Sequence, residues 1–222
     1  MIESAQHAGD KEAAASYLAS AALVETLFGN AAQARQQSAR VLALSTGKDM
    51  QFAGALALAF AGNTVRAEAV ADDLAKRFPD DTLVRFNYLP TLRALVALNR
   101  NDPAKAIEAL QAAAPYDLAE PCQSAFCFQN VYPVLVRAEA YLAARDGSRA
   151  AAEFQKILDH RGIVVNEPIG ALAHLGLARA HIVQGDTAKA RAAYQDFLTL
   201  WKDADTDIPV LVAAKAEYAK LK

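Results

Sequence analysis

Glycine, proline and cysteine are scarce in this chain, whose 222 residues include 10 Gly, 8 Pro and 2 Cys. Few Gly and Pro, together with 54% hydrophobic residues, exclude a disordered or low-complexity chain and leave ample apolar surface for a continuous core. Alanine is abundant instead, and it is both the best helix former and small enough to let two helices approach closely. The composition therefore predicts an all-α fold.

Basic patches and long apolar runs are also missing. The net charge of −2 and the pI near 6.1 come from mixed charges, so no basic face is expected that would track nucleic acid. The most apolar run, Phe52 to Ala61, is shorter than the ~20 residues of a bilayer span, so we expect no direct membrane insertion. Residues 1–7 lack the basic and apolar regions of a signal peptide and are typical of the cut end of a longer protein.

A residue pair with a spacing of four recurs five times, each time after a short polar turn. Subtracting the first member of each pair from the next gives periods of 33, 39, 44 and 40 residues. Such periods are typical of stacked helix-turn-helix repeats. The pairs are Ala34/Ser38, Ala67/Ala71, Ala106/Leu110, Ala150/Phe154 and Ala190/Tyr194.

The turns define the predicted helices, because Gly closes one helix in the left-handed conformation and Asn or Asp caps the next. They lie at 29–30, 62–64, 101–103, 145–147 and 184–186. The predicted helices are 11–28, 31–44, 49–61, 65–77, 82–99, 103–114, 131–144, 148–160, 169–183, 187–201 and 209–221. They form five units, 11–46, 48–80, 82–117, 130–162 and 168–203, with a capping helix over 208–221 whose polar outer face closes the open end.

These positions carry a resemblance to the tetratricopeptide repeat. Ala178 and Ala190 occupy the two small positions of the fifth unit, and Tyr194 occupies the aromatic position. Ala55, Ala67 and Pro79 fall in the corresponding places of the second unit, although the early Trp of the family is absent throughout. The resemblance implies a right-handed superhelical stack of about five antiparallel helix pairs.

A narrower resemblance covers 154–180, 185–186 and 193–205. These segments, which begin Phe154-Gln155-Lys156-Ile157 and end Asp203-Ala204-Asp205, are similar to the C-terminal tetratricopeptide region of acidobacterial-type serine/threonine protein kinases. In those proteins the repeats follow a kinase domain and usually a membrane segment. The resemblance implies an extracytoplasmic sensory or docking region, with a cytoplasmic location as the alternative.

Catalytic motifs are missing from the sequence, so we expect no enzyme. A Gly-rich loop, an ATP-binding Lys on a strand, a catalytic-loop Asp and Asp-Phe-Gly are all absent. The triplet His160-Arg161-Gly162 has Gly where a kinase has its base. The alternatives to a kinase tail are a free-standing adaptor, an oligomerisation module and, remotely, an all-α small-molecule-binding domain or enzyme.

Candidate metal and disulfide residues are few. Cys122 and Cys127 lie in the longest connection, where they either form a small disulfide or are buried as free thiols; two Cys without a nearby His make a poor zinc site. His174 and His181 lie two turns apart on one helix, about 10 Å, which is too far for one metal ion. We therefore expect no metal and no cofactor. The aromatic residues at helical spacing are interpreted as core: Tyr17, Tyr88, Tyr141, Phe154 and Tyr194.

The first helix of each tetratricopeptide pair lines the concave face of the stack, so its polar and aromatic residues are the candidate contacts for a protein or peptide. Arginines on neighbouring first helices suit a carboxylate or an acidic peptide. Alternatively, they are solvated or pair with Glu139 and other local acids. Self-association of the Ala-rich helices is the second possibility. The candidates are Arg85, Asn87, Tyr88, Arg93, Arg137, His174 and Arg179.

Overall fold

The structure is a computed structural model, which describes residues 10–119, 131–164 and 167–221. Of these residues 79% are helical and none lies in a strand, so the prediction of an all-α fold is confirmed. The helices are α1 (Lys11–Phe28), α2 (Ala31–Leu44), α3 (Lys48–Phe60), α4 (Thr64–Arg77), α5 (Leu89–Asn99), α6 (Pro103–Leu110), α7 (Tyr132–Ala143), α8 (Gly147–Asp159), α9 (Arg161–Val164), α10 (Ile169–Gln184), α11 (Thr187–Leu200) and α12 (Pro209–Ala219).

Most predicted helix limits are met within about two residues, but the third pair differs. Its first helix begins with a π-helical segment, Val84–Tyr88, in which the Leu89 N–H donates to the Val84 carbonyl. Pro90 explains this, because it lacks an N–H and its ring crowds the carbonyl four residues earlier, which widens the turn. The partner helix α6 ends at Leu110 rather than at Ala114, and a short 3₁₀ helix, Ala114–Tyr116, follows. Pro115 is consistent with this end, because it has no N–H to donate to the Gln111 carbonyl.

Five of the turns have the same geometry. Each contains one residue with positive φ, namely Gly29 (95°), Gly62 (78°), Asn101 (59°), Arg145 (60°) and Gly185 (79°). The next residue, Asn or Asp, donates its backbone N–H to the carbonyl five residues earlier, at 2.7–2.9 Å. This is the Schellman arrangement, which satisfies the free carbonyls at a helix end. Four of these Asn or Asp side chains also cap the following helix, namely those of Asn63, Asp102, Asp146 and Asp186.

The residues that mark the sequence period lie in the core. The five alanines of the pairs are all 0% exposed, and their partners four positions later are also buried. Each therefore fixes a close approach of its helix to a neighbour, as the sequence predicts.

Contacts between helix ends give the direction of several neighbouring helices. Gly147 at the start of α8 lies against Ala180 and Gln184 near the end of α10, so these helices are antiparallel. Helices α3 and α5 are parallel instead, since Asp49 bonds Tyr88 near one end and Ala59 bonds Asn99 at the other. Helices α3 and α5, which α4 separates in the sequence, therefore lie side by side and run in the same direction.

The first and last helices meet. Gly29 follows α1, and a Cβ atom added there would lie 2.9 Å from the Cβ of Pro209, the first residue of α12. The Phe28 ring contacts the Trp201 ring edge-on, with centroids 5.0 Å apart. The N-terminus of the predicted capping helix therefore lies on the end of α1, while Leu211 and Ala214 of the same helix are buried.

Candidate binding cavity where the first and last helices meet

A cavity of about 900 Å³ lies next to the contact between Phe28 and Trp201. Its walls come from the end of α1, the end of α8, α9, the start of α10 and the end of α11. The apolar lining includes Phe28, Ile157, Leu158, Val164, Leu200 and Trp201. The cavity thus combines residues from both ends of the chain.

Aromatic rings form one wall of this cavity. Trp201 contacts Phe28 on one side and Phe197 on the other, with both pairs of centroids 5.0 Å apart. Phe197 is fully buried and anchors Trp201 to the core, whereas Leu200 remains 60% exposed. Trp201 is the single Trp of the chain and therefore a specific spectroscopic reporter for the cavity.

His174 is a predicted site residue that does line the cavity. Its Nδ1 lies 3.8 Å from the Asp196 carboxylate, and only 16% of its side chain is exposed. Burial lowers the pKa of His174; the Asp196 charge opposes this, and the Arg161 charge adds to it. The imidazole is therefore neutral at pH 7.

Glu167 also lines the cavity and lies two residues before the first residue of α10. Burial raises the pKa of its carboxyl group. Its charge also reaches Tyr132, whose pKa is raised by burial first and by Glu167 second. Among the described residues, no side chain or backbone N–H pairs with the Glu167 carboxylate.

A second groove of about 560 Å³ lies between α4, α5 and α6, and it contains the predicted residue Arg93. Arg100 closes one side through a bidentate ion pair with Glu68, at 2.6 and 3.1 Å. Both partners are exposed, so water weakens their attraction. Three cations and four carboxylates line this groove, and since Arg100 pairs with Glu68, most of these charges offset each other.

Two further candidates are buried rather than displayed on a groove. Tyr88 is 1% exposed, stacks on Phe52 with centroids 3.8 Å apart, and donates a 2.8 Å hydrogen bond to Asp49. Asn87 is 6% exposed. Helix α3, on which Tyr88 packs, is itself buried at every residue from Met50 to Ala59. The inner faces of these first helices are therefore covered.

Two of the predicted arginines, Arg137 and Arg179, pair with local acids, as the alternative interpretation of the sequence expects. The buried Arg137 guanidinium bonds Asp117 and, at 2.9 Å, Glu153. These acids raise the pKa of Arg137 against the opposing effect of burial. Burial leaves Arg137 no surface to offer a partner.

Arg179 forms a bidentate pair with Glu217 of α12, both bonds being 2.9 Å. Tyr194 donates to the same carboxylate at 2.7 Å, and Glu139 lies close enough for its charge to raise the pKa of Arg179. Burial in turn raises the pKa of Glu139. This network fixes α12 to α10 and α11.

The predicted site residues thus do not converge. Arg85 is exposed and lies over the Phe86 ring, 5.1 Å from its centroid, whereas Arg93 and His174 line different cavities. Cys122 and Cys127 lie outside the described residues. Sequence reasoning missed Phe28, Glu167 and Trp201, although a Glu-Pro step before a helix and a single Trp were visible signals.

No helix within 10–119, 131–164 and 167–221 combines the length and hydropathy needed to cross a bilayer. Within the same ranges no three His, Cys, Asp or Glu side chains are grouped as a metal site. No protein-family model matches the chain, and no curated protein matches it significantly. Function is therefore inferred from the fold and from the cavity.

Proposed function

We propose that this chain is a non-catalytic tetratricopeptide-type scaffold, a superhelical stack of about five helix pairs that binds a protein or peptide. The observation that supports this most is the fivefold recurrence of one turn geometry, with positive-φ residues at intervals of 33, 39, 44 and 40 residues, as subtraction of their numbers shows. An identical turn at a nearly constant period is typical of a repeated helical unit. The parallel alignment of α3 with α5, offset by 39 to 40 residues, supports the same interpretation.

The binding site in this proposal is the cavity beside Trp201. Ligand pockets typically have volumes of about 300–1,000 Å³ and apolar walls with a few polar groups. The cavity, at about 900 Å³, has this size and composition. Leu200, 60% exposed at its rim, provides apolar surface that a partner would cover.

The wider context proposed is the sensory or docking tail of a bacterial serine/threonine protein kinase. The segments 154–180 and 193–205 that carry this resemblance include the C-terminal part of α8, most of α10 and the C-terminal part of α11, and these helices line the cavity. A free-standing adaptor is the alternative. Sequencing upstream of the codon for Ile2 distinguishes them, since a kinase domain followed by a membrane span is expected only for the tail.

A displayed library of random peptides tests the binding function. We expect the purified chain to enrich a peptide family, and the substitution Leu200→Asp at the rim of the cavity to abolish the enrichment. Val65→Asp is the matched control, because Val65 is 79% exposed on α4 and does not line the cavity. Both substitutions place one charge on an exposed helical site, so neither should unfold the protein.

Two results would count against this function. One is the absence of any enriched peptide, and the other is enrichment that Leu200→Asp and Val65→Asp affect equally. Light scattering of the same three proteins tests the oligomerisation alternative. Mass that rises with concentration, and that only Leu200→Asp abolishes, would assign the cavity rim to self-association instead.

A further inference from the structure

The charged groups of the cavity beside Trp201 are unevenly balanced. Its lining holds one cationic residue, Arg161, and two carboxyl groups, those of Glu167 and Asp196, beside His174, whose pKa is lowered by burial. The lining therefore carries a net charge of about one negative unit. An apolar site with a surplus carboxylate attracts a cationic group.

The charged groups on the His174 side of the cavity largely offset each other. Asp196 lies 3.8 Å from His174, and 64% of its side chain is exposed to water. Arg161 is close enough for its charge to act on the same imidazole. The carboxylate and the guanidinium on this side therefore offset each other in a solvated setting.

Glu167 differs because its carboxylate is partly desolvated and has no hydrogen-bond or ion-pair partner among the described residues. A desolvated carboxylate without a hydrogen bond costs free energy, and a ligand cation placed on it recovers that cost. Glu167 also lies two residues before the first residue of α10, so its negative charge opposes an anion at the N-terminus of that helix. A helix N-terminus alone favours a ligand carboxylate, but the negative charge of Glu167 disfavours one at this helix end.

We infer that the segment bound in this cavity is apolar and basic, with an apolar side chain against Phe28 and Trp201 and a Lys or Arg side chain on the Glu167 carboxylate. This inference rests on the proposed peptide-binding function and names the chemistry of the partner. The aromatic wall suits the same ligand, because the faces of Trp and Phe attract ammonium and guanidinium groups. It also reverses the expectation from the sequence, in which repeated arginines favour an acidic peptide.

Three ligands with one alkyl chain test the charge preference: hexylammonium, hexanol and hexanoate, each titrated against Trp201 fluorescence at neutral pH. All three fill the apolar part equally, so the head group alone separates them. A charge-assisted hydrogen bond is worth about 1.5–3 kcal/mol, so hexylammonium should bind at least roughly tenfold more tightly than hexanol. Hexanoate should bind most weakly.

Glu167→Gln should remove the preference for hexylammonium and leave the affinity for hexanol unchanged. Asp196→Asn is the matched control, because it makes the same carboxyl-to-amide change at an exposed lining residue and should retain the preference. Tightest binding of hexanoate, an unchanged preference in Glu167→Gln, or no fluorescence response to any ligand would overturn the inference.

The selected peptides give an independent outcome. The inference expects a Lys or Arg next to an apolar residue in the enriched sequences, and loss of that basic residue when Glu167→Gln is used as bait. Enriched peptides that depend on Leu200 but are acidic or uncharged would retain the peptide-binding function and overturn the basic partner. The two proposals therefore fail separately.

Discussion

Gly176 is a site where one methyl group should destabilise the fold. It lies in the middle of α10 and is buried. A Cβ atom there would lie 2.3 Å from both Cε1 and Cζ of Phe154 on α8. Carbon atoms in contact normally stay about 3.5–4.0 Å apart. Gly176→Ala therefore forces α8 and α10 apart or displaces the Phe154 ring.

The expected magnitude combines two opposing effects. Overpacking a close-fitting core costs about 1–3 kcal/mol, whereas Ala in place of Gly inside a helix gains about 1 kcal/mol. Phe154 is 0% exposed, so its ring has no solvent-filled space to enter. The upper part of the overpacking range, about 2–3 kcal/mol, therefore applies, and the net loss of about 1–2 kcal/mol lowers the melting temperature of a domain of this size by roughly 2–8 °C.

Far-UV circular dichroism during thermal unfolding measures this shift. Gly162→Ala is the control, because a Cβ atom at Gly162 meets no atom within 4 Å. Phe154→Leu provides the second arm, since shortening the ring should make Gly176→Ala neutral or stabilising by up to about 1 kcal/mol in that background. A Gly176→Ala protein that melts at or above the temperature of the original would refute the close approach of α8 and α10.

Three further substitutions test the turns, the buried ion pairs and the cavity. Arg145→Gly should stabilise the protein by about 0.5–1 kcal/mol in urea unfolding, because Arg145 holds a positive φ of 60° that suits Gly; a loss of stability would contradict the turn geometry. Arg137→Ala should cost up to about 3 kcal/mol in the same assay, because Asp117 and Glu153 lose their buried guanidinium and keep only the partly exposed Lys156, whereas removal of the exposed Arg100 should change little; equal effects would contradict the burial of Arg137. Burial lowers the pKa of His174, so its contribution to stability is complete above the unfolded value of 6.5 and is lost as the pH falls through the lower folded value. His174→Gln should therefore reduce the loss of stability on acidification, and an unchanged pH dependence of the unfolding midpoint would contradict this.

The turns could be predicted because their determinants are local. A residue that accepts positive φ, followed by Asn or Asp, is sufficient to end one helix and cap the next. The positions of Gly62-Asn63 and Gly185-Asp186 in the sequence therefore match their places in the structure. The π-helical segment was not predicted, because Pro90 indicates a disturbed helix but does not determine which distortion the backbone adopts.

The sequence itself indicates that an inner helix is buried, although the resemblance to the repeat predicts an open face there. The run from Phe52 to Ala61 is apolar on all sides, and a helix of that kind is normally enclosed by protein. Tyr88 packs on this helix and so belongs to the core. The helical spacing of Tyr88 predicts this core position, whereas its second interpretation as a concave-face contact came from the resemblance, which places first helices on an open face.

The cavity could not be predicted from local patterns. Phe28 and Trp201 are 173 residues apart in the sequence, since 201 minus 28 is 173, yet their rings touch. Their contact depends on the summed rotation of all the intervening helices, which small changes at each helix contact alter. The burial of Glu167 likewise depends on the tertiary packing around it, so local sequence patterns do not reveal it.

Amide chemical-shift mapping with a selected peptide tests most directly whether the cavity beside Trp201 is the binding site. We predict that the largest shifts occur in α9, at 170–174 at the start of α10 and at 199–201 at the end of α11, with a smaller change at Phe28. The Trp201 indole N–H should shift with the same saturation curve as these amides. Shifts centred on the groove of Arg93, with the Trp201 signals unchanged, would contradict this account.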